Sequence, residues 1–367
     1  MRFPEFKDEW DKDRVRNLFT MNVGGDIDKA NVSSIQTDVF KYPVIANALS
    51  NDGIYGYTSE YKDDCPSITV TGRGDVGLAK YRDYPLFPIV RLLVLHSKGK
   101  IDCRFGVHAI NCIKKYEEST GVPQLTAPQL GAYSISFPNL TEQAKIGAFL
   151  KLIDERISTQ IRIIEDLKSL SDAICERLYT PSEKESWQTY KYADLFSISN
   201  ERNSKLQYTN VLSASQEYGM IERNELNIDI KFEASSIINY KIVRPNQYVI
   251  HLRSFQGGFA YSDKTGVCSP AYTILVPNEI LSTAFLKYYF TSKKFINSLR
   301  IVTYGIRDGR SISVEEFLQL KVAIPNITRQ QHIVRVMQLW EEKIRIEESY
   351  LTKLHQQKRH LLTTMFI

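Results

Sequence analysis

Two stretches of the chain place apolar residues at alternating steps of four and three positions. Each stretch has ten such positions, eight of them apolar, and the polar breaks fall at matching places, Gln160 with Glu347 and Ser171 with Lys358. A narrow apolar stripe of this period predicts a coiled-coil seam, which neither helix could bury alone. The predicted seam residues are Ile146, Leu150, Ile153, Ile157, Ile164, Leu167, Ile174 and Leu178 in the first stretch, and Ile333, Met337, Trp340, Ile344, Leu351, Leu354, Leu361 and Met365 in the second.

The two stretches are copies of one sequence. Residues 138–146 (PNLTEQAKI) recur as residues 325–333 (PNITRQQHI), an offset of 325 − 138 = 187 without a gap. The prolines exclude helix just upstream, and Thr141 and Thr328 are the predicted N-caps. Two helices of about 38 residues, each roughly 57 Å long, are therefore expected.

The segments between the helices repeat more faintly. Trp10 followed by Leu18–Phe19 is echoed at the same spacing by Trp187 followed by Leu195–Phe196. Short β-type runs separated by turn residues predict mixed sheets, and a helix is expected among them. The predicted strands are Ser67–Val70, Ile89–Leu95, Tyr248–Leu252 and Ala271–Val276, and the predicted helix is Ser282–Leu299.

The predicted fold class is α+β. Two mixed α/β domains, residues 1–139 and 186–325, alternate with two helical regions, residues 140–185 and 326–367. The helices are expected to pair as an antiparallel coiled coil, which gives the chain an internal pseudo-two-fold symmetry and puts one globule at each end.

Composition narrows the class of protein. The formal net charge is 47 − 42 = +5, which permits a polyanionic partner without requiring one. The five cysteines are an odd number without a CxxC pair, which argues against a disulfide framework or a zinc site and for a reducing, cytoplasmic location. The sequence contains no run of 18 consecutive apolar residues, so no membrane-spanning helix is expected.

Enzyme motifs are largely missing. The chain has no Pro-Pro pair, so the tetrad by which amino-methyltransferases hold a target base is absent, and it has neither a P-loop nor HExxH. Residues 72–77 (GRGDVG) fit GxGxxG, but the following residues read poorly as a helix start. We therefore expect a chain that is not an enzyme and binds no metal or cofactor itself.

Several loops combine glycine with basic, amide or aromatic side chains, as contacts to phosphates and base edges require. Solvated turns, or sugar- or peptide-binding loops, would look similar. The candidate DNA-binding residues are Asn47, Gly72, Arg73, Gly74, Lys80, Gln124 and Thr126 in the first globule, and Arg253, Ser254, Phe255, Gln256, Tyr304, Arg307 and Arg310 in the second.

The helix entry Pro-Asn-Leu-Thr-Glu-Gln, its C-terminal copy and the alternation of domains resemble the specificity subunit of type I restriction–modification systems. The phrases TGRGDVG (71–77), TGVPQL (120–125) and GVCSPAY (266–272) are similar to phrases of that family. The resemblance covers essentially the whole chain. It implies two target-recognition domains that read a bipartite, asymmetric site in double-stranded DNA, with the coiled coil setting the spacer between its halves.

The resemblance also implies partners. Two methyltransferase subunits would dock on the helices, at apolar positions outside the seam such as Phe149, Ile161, Ile163 and Leu170, and restriction subunits would join through them. S-adenosylmethionine, ATP and Mg²⁺ would be bound by those partners, and the methylated atom would be adenine N6. Two alternatives stay open: a specificity subunit for a fused methyltransferase–nuclease, and a two-headed protein scaffold that does not bind nucleic acid.

Overall fold

The computed structural model describes residues 2–113, 124–183, 185–215, 218–223, 234–251, 258–299, 303–304 and 311–366. The chain forms two compact units, Met1–Ile161 with Ser349–Ile367, and Arg162–Glu348. The boundary between the units falls within both long helices, so each unit contains a globule and part of each helix. The long helices are α4 (Leu140–Leu178) and α9 (Ile327–Met365), of 39 residues each.

The first unit consists of short strands and helices. Its elements are β1 (Asp11–Arg14), α1 (Val15–Leu18), β2 (Phe19–Val23), β3 (Tyr42–Ile45), β4 (Ile54–Thr58), β5 (Ser67–Val70), β6 (Ala79–Arg82), β7 (Phe87–Pro88), β8 (Leu93–Ser97), α2 (Cys103–Asn111), α3 (Ala127–Ala132) and β9 (Ser134–Phe137), with 3₁₀ turns at Lys29–Asn31 and Ser50–Gly53. Four of the strands form an antiparallel sheet in the order β2-β8-β5-β6. A three-stranded sheet, β4-β3-β7, and the pair β1–β9 accompany it.

The second unit has a similar series of elements. They are β10 (Gln188–Lys191), α5 (Tyr192–Leu195), β11 (Phe196–Ser199), β12 (Leu212–Ser215), β13 (Gly219–Glu222), β14 (Lys241–Val243), β15 (Gln247–Ile250), β16 (Phe259–Ser262), β17 (Gly266–Cys268), β18 (Thr273–Pro277), α6 (Phe285–Tyr289), α7 (Lys293–Ser298), β19 (Thr303–Tyr304), β20 (Ser311–Ile312), α8 (Val314–Gln319) and β21 (Lys321–Ile324), with a 3₁₀ turn at Ala234–Asn239. The same central sheet forms here, in the order β11-β18-β15-β16. The other pairs among the described residues are β10–β21, β12–β13, β14–β17 and β19–β20.

The two central sheets have matching register. Ser67 pairs with Arg82 across β5 and β6, and Gln247 pairs with Ser262 across β15 and β16. Both members of the second pair lie 180 positions after those of the first, since 247 − 67 = 180 and 262 − 82 = 180. The duplication predicted from the helices therefore extends through the globules.

The predicted helices form, with one correction at their starts. Both begin earlier than expected, because Asn139 and Asn326 supply the caps. The side-chain oxygen of Asn139 accepts a hydrogen bond from Glu142 N at 3.0 Å, and that of Asn326 accepts one from Arg329 N at 2.9 Å. The prediction of Thr141 and Thr328 as N-caps was wrong, since both lie inside the first helical turn.

The helices run antiparallel within each unit. In the first unit, Ile146 near the start of α4 shares a hydrophobic core with Met365 at the end of α9. In the second unit, Tyr179 just after the end of α4 shares a core with Ile333 near the start of α9. All sixteen predicted seam residues are buried or half-buried.

The strand predictions differ from the structure at their ends. Of Ile89–Leu95, only the part from Leu93 onward is strand, because Val90 and Arg91 adopt left-handed backbone angles. The predicted strand Ala271–Val276 begins at Thr273, and Tyr248–Leu252 is observed as Gln247–Ile250, with Leu252 outside the described residues. Instead of one helix over Ser282–Leu299, the structure has α6 and α7.

Among the described residues, no helix is both long enough and apolar enough to cross a membrane. Cys65, Cys103, Cys112, Cys175 and Cys268 form no disulfide in the described part of the chain, and burial raises the pKa values of Cys175 and Cys268 to about 12. Such thiols stay protonated at neutral pH, so they pack as small apolar groups.

Candidate nucleic-acid interface

Asn47 joins two loops of the first unit. Its side-chain oxygen accepts a hydrogen bond from Gly72 N at 2.7 Å, and its side-chain nitrogen donates one to Val90 O. The amide thus connects the turn between β5 and β6 to the turn between β7 and β8. Asn47 was predicted as a DNA contact, and in the structure its side-chain amide holds these two turns together.

Gly72 is required by close packing of backbones. A Cβ at this position would lie 2.4 Å from Arg91 O and 3.0 Å from Leu125 O. Leu125 N also donates a hydrogen bond to Gly72 O at 2.9 Å. Gly74 has open space around it, but its φ of +77° favours glycine. The glycines predicted from the sequence therefore shape the loop that carries Arg73.

Three exposed polar residues lie next to one another beside these packed loops. Arg73 and Gln124 form an isolated antiparallel β-bridge, and Arg91 Nη1 donates a hydrogen bond to Gln124 Oε1 at 3.0 Å. Arg73, Arg91 and Gln124 are all exposed. Two guanidinium groups and an amide are the side chains expected for contacts to phosphates and base edges.

Arg91 was missing from the sequence-based prediction. It stands inside the apolar run IVRLLVL, which reads as a continuous strand. The φ of Arg91 is +63°, and the pattern of apolar residues does not predict a positive φ. Its hydrogen bond to Gln124, 33 residues away, and the packing of its carbonyl oxygen against Gly72 bring it into the site.

Lys80 and Thr126 have partners within the protein. Lys80 Nζ lies 2.9 Å from Asp52 Oδ1, and Arg82 pairs with the same carboxylate. Burial alone would raise the pKa of Asp52, but the hydrogen bond from Lys80 and the charges of both cations lower it. Thr126 is the N-cap of α3 and forms a capping box with Gln129. The ion pairs of Asp52 and the capping box of Thr126 stabilise the structure next to the loops.

The second unit has an equivalent connection. Residues 251–258 link β15 to β16, as residues 71–78 link β5 to β6, and Arg253 stands 180 positions after Arg73. Arg253, Ser254, Phe255, Gln256, Arg307 and Arg310 lie outside the described residues. Tyr304 belongs to β19, where it pairs with Ser311 of β20.

A family model for the type I restriction modification DNA specificity domain matches residues 7–169 and again residues 184–356. The chain belongs to the type I restriction–modification specificity family. The two matches follow the duplication seen in the sheets and helices. Members of this family are specificity subunits without catalytic function of their own.

Curated type I specificity subunits of Mycoplasma pneumoniae are similar to parts of this chain. One is 34% identical over 128 residues, which is 35% of this chain and 38% of that protein. Another is 34% identical over 112 residues, 30% of this chain and 31% of the relative. The matched part therefore spans less than two fifths of the length of either relative.

Solved structures of specificity subunits share the fold over the whole chain. The type I restriction-modification S subunit from M. genitalium has a TM-score of 0.61 at 17% identity and covers 100% of this chain and 99% of that one. A structure describing complex assembly and conformational transition of a type I system has a TM-score of 0.58 at 12% identity, with 99% and 98% covered.

The helices of this specificity-family chain expose apolar side chains at matched positions. Leu152 of α4 and Leu339 of α9 are 187 positions apart and are 64% and 50% exposed. Leu140 and Ile327, also 187 apart, are 51% and 44% exposed. Phe149, Ile161, Ile163 and Leu170 are exposed as well. In the described part of the chain, no group of three or more His, Cys, Asp or Glu is arranged to hold a metal ion.

Proposed function

We propose that this chain is the DNA-recognition subunit of a type I restriction–modification complex. The observation that carries the proposal is the duplicated hairpin connection of the two central sheets, which bears Arg73 in the first unit and Arg253 at the equivalent sequence position in the second. In the first unit, Arg73 stands with Arg91 and Gln124 on an exposed surface. Membership of the specificity family supports the same function.

The target is a bipartite and asymmetric site in double-stranded DNA. Duplicated units suit a DNA site with two half-sites, since each unit can present the same hairpin to one half. The turns beside these hairpins carry different side chains: Val90 and Arg91, between β7 and β8, correspond 180 positions later to Pro270 and Ala271. Different side chains read different bases, so the two halves are expected to be unlike.

The long helices dock two methyltransferase subunits, one on each copy of the repeated helical sequence. Leu152 and Leu339 support this assignment because the duplication keeps an exposed leucine at the same place in both helices. Large apolar side chains repeated on a solvent-facing surface favour a protein interface. Each methyltransferase subunit would then contact the same face of its own helix.

The partners supply the chemistry. In this proposal the methyltransferase subunits bind S-adenosylmethionine and methylate adenine N6 in both half-sites, and restriction subunits add ATP- and Mg²⁺-dependent cleavage. The specificity chain fixes where on the DNA these reactions occur. Its own exposed arginines bind and orient the duplex through phosphates and base edges.

The deciding experiment is base-modification sequencing of a methylation-free bacterial host that expresses the chain with its methyltransferase subunit. We expect one split motif, with methyladenine in both unlike halves and a fixed gap between them. Expression of the methyltransferase alone is the control and should leave the genome unmodified.

Two outcomes would count against the proposal. Modification at a single undivided motif would contradict the bipartite site. An unmodified genome, together with absence of salt-sensitive DNA binding by the purified complex, would contradict DNA recognition altogether, because phosphate-driven binding falls steeply with salt.

A further inference from the structure

The turn between β7 and β8 has an unusual backbone. Val90 has a φ of +42° and Arg91 a φ of +63°, so two consecutive residues with side chains are left-handed. For a β-branched residue such as valine, positive φ is a genuine outlier. Backbone strain of this kind is found mainly at functional sites, where the surrounding structure enforces it.

Hydrogen bonds hold the turn from two sides. Val90 N donates a hydrogen bond to Gly25 O, and Arg91 N donates one to Gly24 O, both at 3.0 Å. On the other side, Val90 O accepts a hydrogen bond from the side chain of Asn47. The turn therefore has a fixed shape before any ligand binds.

The turn presents one apolar and one cationic side chain to solvent. Val90 is 46% exposed, although valine is ordinarily a core residue. Arg91 is exposed too, and its Nη1 is tied to Gln124 Oε1 at 3.0 Å. That bond uses one of the five N–H donors of the planar guanidinium and restrains the position of the side chain.

We propose that Val90 and Arg91 form a base-reading element of the first unit. Arg91 donates hydrogen bonds to O6 and N7 of a guanine in the major groove, the commonest specific contact between arginine and DNA. Val90 contacts the 5-methyl group of a neighbouring thymine, which is the apolar feature of that groove. This assignment rests on the proposed DNA-recognition function and names the residues that set specificity.

The second unit lacks this pair. Leu93 of β8 corresponds to Thr273 of β18, 180 positions later, so the equivalent of the turn is Pro270–Ala271. A proline and an alanine have no side-chain donor. The guanine contact is therefore assigned to one half-site only.

The test uses the complex of the chain with its methyltransferase subunit, bound to duplexes that carry its mapped target. Each guanine is replaced in turn by 7-deazaguanine, which lacks N7, and each thymine by deoxyuridine, which lacks the 5-methyl group. The wild-type complex should lose affinity about tenfold at one guanine of one half-site. Arg91→Ala should bind more weakly and no longer distinguish guanine from 7-deazaguanine there.

Two further variants separate base reading from phosphate binding. Arg91→Lys keeps the positive charge but loses the planar fork, so it should keep its affinity for non-target DNA while losing the guanine preference. Val90→Ala should lose sensitivity to deoxyuridine at a single thymine. Arg14→Ala, which changes an exposed arginine on β1, should retain the whole wild-type pattern.

The inference would be overturned if Arg91→Ala, folded as judged by circular dichroism, kept the wild-type penalty at every 7-deazaguanine. Equal weakening of Arg91→Ala on all duplexes would also overturn it, since that is the behaviour of a phosphate contact. In both cases the wild-type complex would still prefer its target, so DNA recognition would stand. A wild-type complex without any sequence preference would instead contradict the proposed function itself.

Discussion

Gln143 and Gln330, 187 positions apart, make the same set of hydrogen bonds at the start of the two long helices. Both side chains are almost fully buried, at 0% and 1% exposure. The Nε2 group of Gln143 donates to Pro138 O at 2.7 Å, and that of Gln330 donates to Pro325 O at 2.9 Å. Each amide thus closes the turn that leads from the last strand of its globule into the helix.

The same two amides also form hydrogen bonds with backbone groups of the globules. Gln143 donates to Lys100 O at 3.0 Å and accepts from Asp102 N at 2.9 Å. Gln330 donates to Ile280 O at 2.8 Å and accepts from Ser282 N at 2.8 Å. Each glutamine therefore fixes the joint between helix and recognition globule within its own unit.

Replacement of either glutamine should destabilise its unit. In Gln143→Ala, three backbone groups lose their partner, one of them in a fully buried hydrogen bond, and we expect the free energy of unfolding to fall by about 2–3 kcal/mol. Gln330→Ala should behave alike. Urea denaturation followed by tryptophan fluorescence measures both, with Trp10 in the first unit and Trp187 and Trp340 in the second.

The matched control is Gln338→Ala, which truncates an exposed glutamine of α9 and should change stability by less than about 0.5 kcal/mol. Equal stability of Gln143→Ala and Gln338→Ala would show that the buried amide does not hold the joint.

Gly72→Ala should lower DNA affinity more than stability alone explains. The added Cβ meets Arg91 O at 2.4 Å, so the loops that carry Arg73 and Arg91 must separate. We expect at least about a tenfold weaker complex on target DNA, because two contacts worth 1–3 kcal/mol each are misplaced. Gly25→Ala is the control, since its Cβ would meet nothing within 4 Å. Comparable affinities of the two variants would argue against a packed recognition surface.

Charged replacements of the matched leucines should release the methyltransferase subunits. Leu152→Glu and Leu339→Glu each place a carboxylate on an exposed helix face, so the folded chain tolerates them while an apolar interface does not. Analytical ultracentrifugation should show one bound methyltransferase in each single variant and none in the double variant. Val39→Glu, at another exposed apolar residue, is the control. Full occupancy of the double variant would place the partners elsewhere.

Acid should destabilise the first unit through His108. The pKa of this histidine is lowered to about 4, mainly by burial and also by the positive charge of Lys358, while the carboxylate of Asp154, 4.0 Å away, opposes the shift. In the unfolded chain, His108 has its ordinary pKa of 6.5. Between about pH 4 and pH 6.5 the unfolded chain therefore binds more protons than the folded chain. Stability is therefore lost as the pH falls from about 6.5 to 4, by up to about 3 kcal/mol.

The measurement is the slope of the unfolding free energy between pH 7 and pH 4. His108→Gln removes the titrating group, so its slope should be shallower than that of the wild type, whatever its absolute stability. Parallel slopes for the two proteins would mean that His108 does not titrate in this window.

The long helices show how much the sequence alone predicted. Their seam, their length and their polar breaks follow from a local period of apolar residues, since a stripe of period 3.5 is typical of helices that pair as a coiled coil. In the structure, Ile146 and Ile333 of this seam also pack into the cores of the globules. The starts were wrong by a turn at most, because Asn139 competes with Thr141 for the same cap and only the hydrogen bonds distinguish them. The strand Ile89–Leu95 was predicted too long for a related reason. The φ angles of Val90 and Arg91 are positive, and a run of apolar residues does not indicate the sign of φ.

The sequence by itself determined that this protein is a duplication of a mixed globule followed by a long helix, because repeats and periodicity are properties of neighbouring positions. The tertiary structure decided which loop residues form a surface. Asn47, Gly72, Arg91 and Gln124 come together only through sheet register and hydrogen bonds that span 25 to 43 positions. Contacts of that range depend on how strands pair, and local pattern does not specify that pairing.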